Sequence, residues 1–153
     1  MIIKKIISGG QTGVDRAALD TAMEQGIPHG GYCPKGRRAE DGVIPIKYDL
    51  IEHNSIKYAD RTLENVLLSD GTMVLHTGII SKGTVLTEEF CIQEDKPLMI
   101  INIVDDPKSC RLSFNHWLRE NSIQILNIAG PRESESAIYK VSKNVLHNLL
   151  CDK

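Results

Sequence analysis

The sequence predicts an α/β protein in three layers, a mostly parallel central sheet with helices on both faces. Three observations predict it. Short apolar runs suited to buried strands alternate with segments of helical periodicity along the chain, the pattern of parallel strands joined by helical crossovers. The first run, Ile2 to Ile7, passes through Ser8-Gly9-Gly10-Gln11-Thr12-Gly13 straight into a helical segment, a strand, glycine turn and helix in one unit. The 153 residues hold no Gly/Ser linker and no internal repeat, so residues 1–153 are expected to form a single domain.

Strand one is predicted over residues 2–8 and helix one over 14–25, where Ala17, Ala18, Leu19 and Ala22 form a small apolar face and Gly26 ends the helix. That face suits either the sheet or close packing against a second subunit. Residues 29–42 make a polar, glycine-rich loop longer than most connections, and such loops often carry function. Pro45 marks residues 43–46 as an edge or irregular segment, and a short strand is predicted near 47–51. A helix follows over 60–68 with Leu63, Val66 and Leu67 on one face. Next come a central strand over 72–77, a helix over 85–93 and a buried strand over 98–103. The helix over 108–120 is expected to pack through Leu112, Trp117 and Leu118. A strand over 123–128 and a helix over 135–150, apolar at Ile138, Val141, Val145, Leu146 and Leu149, complete the chain.

Composition narrows the function. A hydrophobic fraction of 41% and a charged fraction of 25% are ordinary for a soluble globular protein. Two Phe, four Tyr and one Trp leave the core to aliphatic residues. A net charge of −2 without a basic block argues against nucleic-acid binding. No segment has the length and apolarity of a membrane span, and the start lacks a signal-peptide pattern. Cys33, Cys91, Cys110 and Cys151 are scattered without a CxxC pair, and the five histidines show no HExxH spacing, so no metal site is predicted. These features fit a reduced, cytoplasmic protein.

Ligands of parallel α/β sheets sit beyond the carboxyl ends of the strands. Three loops, 8–13, 77–84 and 129–134, each follow a predicted strand and are expected to meet at one rim. In the first, Gly9, Gly10 and Gly13 let the backbone approach a ligand, Gln11 and Thr12 add hydrogen bonds, and the following helix start suits an oxyanion. In the second, Gly83 and Thr84 open a helix; Thr84 either holds a phosphate or caps that helix. In the third, Arg132 and Ser134 are either anion contacts or part of a helix start. Lys35, Arg37 and Arg38 form a basic cluster that either neutralises an anion or holds its own loop through Glu40 and Asp41. Arg61 begins its helix near the same cleft, and the partners of Asp15 and Arg16 stay open. Glu88 is the candidate carboxylate for catalysis, against an ordinary solvated helix position. The glycine spacing matches neither Walker A nor GxGxxG, and no GxSxG elbow is present, which sets aside a P-loop ATPase, a dehydrogenase and covalent catalysis. The expected partner is therefore an anionic small molecule.

Residues 9–20, from Gly9-Gly10-Gln11-Thr12-Gly13 through Asp20, resemble the opening motif of the putative molybdenum carrier family. Residues 34–42 are similar to its second block, and Arg61-Thr62, Asn65-Val66 and Ser69-Asp70 to its third. Gly83-Thr84 with Thr87, and Ala129-Gly130-Pro131-Arg132-Glu133-Ser134, complete the likeness. The resemblance implies a Rossmann-like fold related to the lysine-decarboxylase-like nucleotide phosphoribohydrolases. It implies a homo-oligomer that binds molybdenum cofactor, molybdate or a nucleotide-like ligand. The enzyme alternative it raises is a nucleotide 5′-monophosphate phosphoribohydrolase, with water attacking C1′ and Glu88 assisting. Against that, the PGGxGTxxE motif of those enzymes is incomplete: Pro-Gly-Gly is absent, and Thr87 stands in the Glu position with Glu88 one place later. A partner-binding domain whose loops hold no ligand is the third reading.

Overall fold

The computed structural model describes residues 2–78 and 81–151. Ile6 and Ile7 are both fully buried, as are Met73, Val74 and Leu75. Consecutive strand residues point to opposite faces, so burial of all of them requires cover on both sides. In chain order the elements are β1 (Lys5–Ile7), α1 (Val14–Glu24), β2 (His29–Gly30), β3 (Tyr32–Cys33), β4 (Arg38–Ala39), β5 (Gly42–Val43), β6 (Ile51–Glu52), α2 (Tyr58–Leu68), β7 (Gly71–His76), α3 (Lys82–Gln93), β8 (Leu98–Asn102), α4 (Pro107–Glu120), β9 (Ile125–Ala129) and α5 (Tyr139–Leu150).

The central sheet runs β2-β1-β9-β7-β8, and every pairing in it is parallel. Helices α1, α4 and α5 pack together over one face, and α2 and α3 over the other. Counted along the chain, the five sheet strands lie in the order 2-1-5-3-4. Counted with β9 first, the same strands lie 3-2-1-4-5, the order of dinucleotide-binding folds. The last strand–helix unit therefore occupies the place that the first unit holds in those folds. Residues near both ends of the chain are close enough for such a shift: Ile2 and Ile3 line one surface hollow together with Leu149, Leu150 and Cys151.

The main core is aliphatic apart from Phe114, as the composition suggests. Ala17, Ala18 and Ala22 are buried within the chain, and α1 packs on α5 and on the sheet, so its small-residue face is not a subunit contact. A second cluster of Leu19, Cys33, Ile44, Tyr48 and Leu50 anchors the long loop beside the sheet.

Three readings of the sequence change. The central sheet takes its β2 edge from His29–Gly30, inside the predicted loop, while residues 47–50 form no strand and β6 pairs with β3 outside the main sheet. Two-residue strands are set by their neighbours' hydrogen bonds and carry no periodicity to read. On α4 Phe114, Trp117 and Leu118 pack on the core, whereas Leu112 is 74% exposed. Leu112 precedes Phe114 by two positions, about 200° around the helix. Leu67 and Val141 are likewise exposed, at the margins of the faces that α2 and α5 bury.

Candidate functional site

The loops after β1, β7 and β9 leave the same rim of the sheet, and residues from all three line one cavity of about 90 Å³ that opens to solvent. Gly9 and Gln11 come from the first loop, Ser81 and Gly83 from the second, and Gly130 and Arg132 from the third. Tyr58, Arg61 and Asn65 of α2 complete the wall. Ile79 and Ile80 of the predicted 77–84 loop lie outside the described residues.

Close approaches of backbone to side chain shape this rim. A Cβ on Gly9 would lie 1.4 Å from Arg61 Nη1, so the missing side chain is the space in which the guanidinium sits. Gly13, at φ 79°, turns the chain into α1 where a Cβ would stand 2.4 Å from the Pro131 carbonyl oxygen. The Val14 amide donates to that same oxygen at 3.2 Å, and the Arg16 amide to the Gln11 carbonyl at 3.2 Å. Protein acceptors thus meet donors at the start of α1 that the sequence reading assigned to a ligand.

Asp15 and Arg61 form a buried ion pair at 3.2 Å beneath the cavity. Burial pushes the Asp15 carboxyl up from its ordinary value, while Arg61 and a hydrogen bond from the Gln11 amide act against that push. The Tyr58 ring gathers three guanidiniums: those of Arg132, Arg61 and Arg38 stand 5.4, 5.6 and 5.7 Å from its centroid. Asp15 and Glu135, the latter 3.5 Å from Arg132, line the cavity together with Arg61 and Arg132, and Arg38 stands at its margin.

Gln11 is 94% buried and its orientation is fixed. Its Oε1 accepts from the Thr12 amide at 3.1 Å and from the Glu40 amide at 2.9 Å. Those two donors settle which end of the amide is oxygen, and Nε2 is left without a hydrogen-bond partner among the described residues. A buried donor without an acceptor costs about 1–3 kcal/mol. Here it borders a polar cavity.

A family model described as the circularly permutated YpsA SLOG family matches residues 6–150. The chain belongs to that family. The permutation is the strand order described above, in which β9–α5 follows units it would otherwise precede. Among solved structures, the chain is similar to the crystal structure of a putative molybdenum carrier protein from Syntrophus aciditrophicus SB. The two share 45% identity and superpose with a TM-score of 0.95, over 98% of this chain and 96% of the other. No curated protein matches the sequence.

Within this permutated SLOG fold the residues singled out from the sequence separate into groups. Gly9, Gln11, Gly83 and Arg132 line the cavity. Gly10 does not: a Cβ there would press on Leu50 and Ile44 of the second cluster. Thr84 is buried in the first turn of α3, and its amide donates to the hydroxyl of Ser81, which caps the helix in its place. Arg37 is spent on the carbonyls of Ile44, Pro45, Tyr48 and Leu50, and so holds its own loop. Lys35 is exposed, away from the cavity lining, and Arg38 reaches the site's margin over Tyr58. Thr12 and Ser134 face Glu40, to which both hydroxyls donate. Glu88 does not line the cavity, and its charge is felt instead by the buried thiol of Cys91.

Sequence reasoning missed Asp15 as the partner of Arg61, Tyr58 as the centre of the arginines, and the bridging role of Glu40. The resemblance to the carrier family already placed Arg61, Asn65 and Asp15 inside its motifs, but only the fold brings three separate segments onto one ring.

Proposed function

We propose that this protein binds a small anionic molecule in the cavity at the carboxyl ends of β1, β7 and β9, and that the group held there is a tetrahedral oxyanion such as molybdate or a phosphate. The observation that carries the reading is Gln11, a buried residue in the lining of a space flanked by Arg61 and Arg132, whose Nε2 has no acceptor among the described residues. About 90 Å³ is well below the few hundred Å³ that enclose a drug-sized ligand, but it suits an oxyanion with a water or two. A larger compound, molybdenum cofactor included, would anchor its oxyanion here and extend outward. The relative from Syntrophus aciditrophicus, a putative molybdenum carrier protein, supports molybdate as the first ligand to try. N-glycosidic hydrolysis has less support, because the cavity's carboxylates, Asp15 and Glu135, each face an arginine rather than an open position for water.

Titration calorimetry of the folded protein with molybdate and with orthophosphate tests the proposal. Gln11→Leu and Arg132→Ala are each expected to raise the Kd at least about tenfold, a loss of about 1.4 kcal/mol. Absence of binding by either anion, or wild-type affinity in both variants, would sink it. Release of free base from a panel of nucleoside monophosphates would establish hydrolysis in its place.

A further inference from the structure

Beside the cavity, one side chain of the protein already behaves as a bound anion. The Glu40 carboxylate accepts from the hydroxyls of Thr12 and Ser134 and, at 3.1 Å, from the Ser134 amide. Thr12 Oγ1 in turn accepts from the Glu133 amide at 3.1 Å. These donors come from the loops after β1 and β9, the two that also supply Gln11 and Arg132 to the cavity. Glu40 itself is exposed and arrives from a different segment, the tip between β4 and β5. Its own amide donates to Gln11 Oε1, the other end of the side chain whose Nε2 has no partner among the described residues.

We propose that Thr12 and Ser134 form a second anion subsite, occupied by Glu40 in the free protein, and that the ligand carries two linked anionic groups, one for the cavity and one that displaces Glu40. This rests on the cavity reading above and deepens it by naming the ligand class. Hydroxyl and amide donors converging on a carboxylate serve a phosphate or second carboxylate equally well, since each offers several acceptor oxygens. Some desolvation works against the charge on Glu40, but the hydrogen bonds from Ser134 and Thr12 and the nearby Arg132 outweigh it and hold the carboxyl below its ordinary range. The competitor is therefore charged at neutral pH, and a ligand must replace its bonds before it gains from the subsite. Arg16 keeps the displaced loop within reach, because its bidentate pair with Asp41, at 2.8 and 2.9 Å, involves neither Thr12 nor Ser134.

The test is ¹⁵N NMR titration of the full chain, wild type, Glu40→Gln and Glu40→Ala, with orthophosphate, molybdate and pyrophosphate. The Gln11 side-chain NH₂ reports the cavity, and the Glu133 and Ser134 amides report the subsite. Pyrophosphate is expected to shift both sets, and both variants are expected to bind it at least about tenfold more tightly than wild type. Orthophosphate and molybdate are expected to move the Gln11 signal in wild type with little effect on Ser134. Silence at Glu133 and Ser134 in all three proteins, or equal pyrophosphate affinity in all three, overturns the subsite even if Gln11 responds. A response at Ser134 with Gln11 silent keeps the subsite and removes the cavity reading and the bridging ligand with it. An unfolded variant is recognised from its spectrum, and the wild-type response of Ser134 to pyrophosphate then decides.

Discussion

Arg61 shows most directly how single residues set this site. It is 7% exposed, its Nη1 meets Asp15 at 3.2 Å, and it fits only because position 9 has no side chain. Removing one member of such a pair strands the other in a medium that disfavours its charge. Arg61→Met is therefore expected to destabilise the fold by about 3–5 kcal/mol in urea denaturation. Arg61→Met combined with Asp15→Asn should recover much of that loss. A double variant no more stable than the single one would mean that the pair is not the source of the effect. Gln11 works by a different principle: both donors to its oxygen are backbone amides, so the loop geometry itself fixes which end of the side chain is left without a partner among the described residues.

At the scale of elements, the β4–β5 hairpin lies outside the central sheet. It is fastened by Glu40 to Thr12 and Ser134, by Asp41 to Arg16, and by Arg37 to four carbonyls of its own base. The Arg16 hydrogen bond holds the Asp41 carboxyl below its ordinary value, as Glu40 is held by its own donors. For carboxyls depressed on folding, the linkage runs one way: the fastening is complete above the unfolded-state values and is lost as pH falls through the lower folded-state ones. ¹³C-detected titration should find Glu40 and Asp41 both titrating below free carboxylates. Arg16→Met should return Asp41 towards the ordinary range and leave Glu40 low. Ordinary titration of Asp41 in the wild type would show that the pair with Arg16 does not persist in solution.

The whole molecule is a parallel sheet whose unit order has been shifted without altering the sheet. Strand order 2-1-5-3-4 becomes 3-2-1-4-5 when counting starts at β9, and segments near the two ends lie side by side. Domains with neighbouring ends tolerate relocation of the ends to exposed turns. A variant opened between α4 and β9, near Asn121, with the present ends joined by a short flexible linker, should fold with the same sheet. Its far-ultraviolet circular dichroism should match the parent, with stability reduced by no more than a few kcal/mol. Failure to fold would show that the β9–α5 unit depends on being added last. No helix among the described residues is long and apolar enough to cross a membrane.

The alternation of apolar runs and helical segments was sufficient by itself to place five sheet-covering helices, four strands of the central sheet and the rim where the 8–13, 77–84 and 129–134 loops meet. Those features follow from local periodicity and from the rule that parallel strands share one carboxyl edge. Tertiary structure alone decided how the charges were spent. Arg37 turned inward to its own loop, Asp15 found Arg61 across 46 positions, and Glu40 took the hydroxyls of Thr12 and Ser134. Pairing of a long charged side chain is decided by distances between segments remote in sequence, and no local pattern encodes those. Among the described residues Gln11 Nε2 is left over after that pairing, beside a cavity that the fold leaves open to something that is not protein.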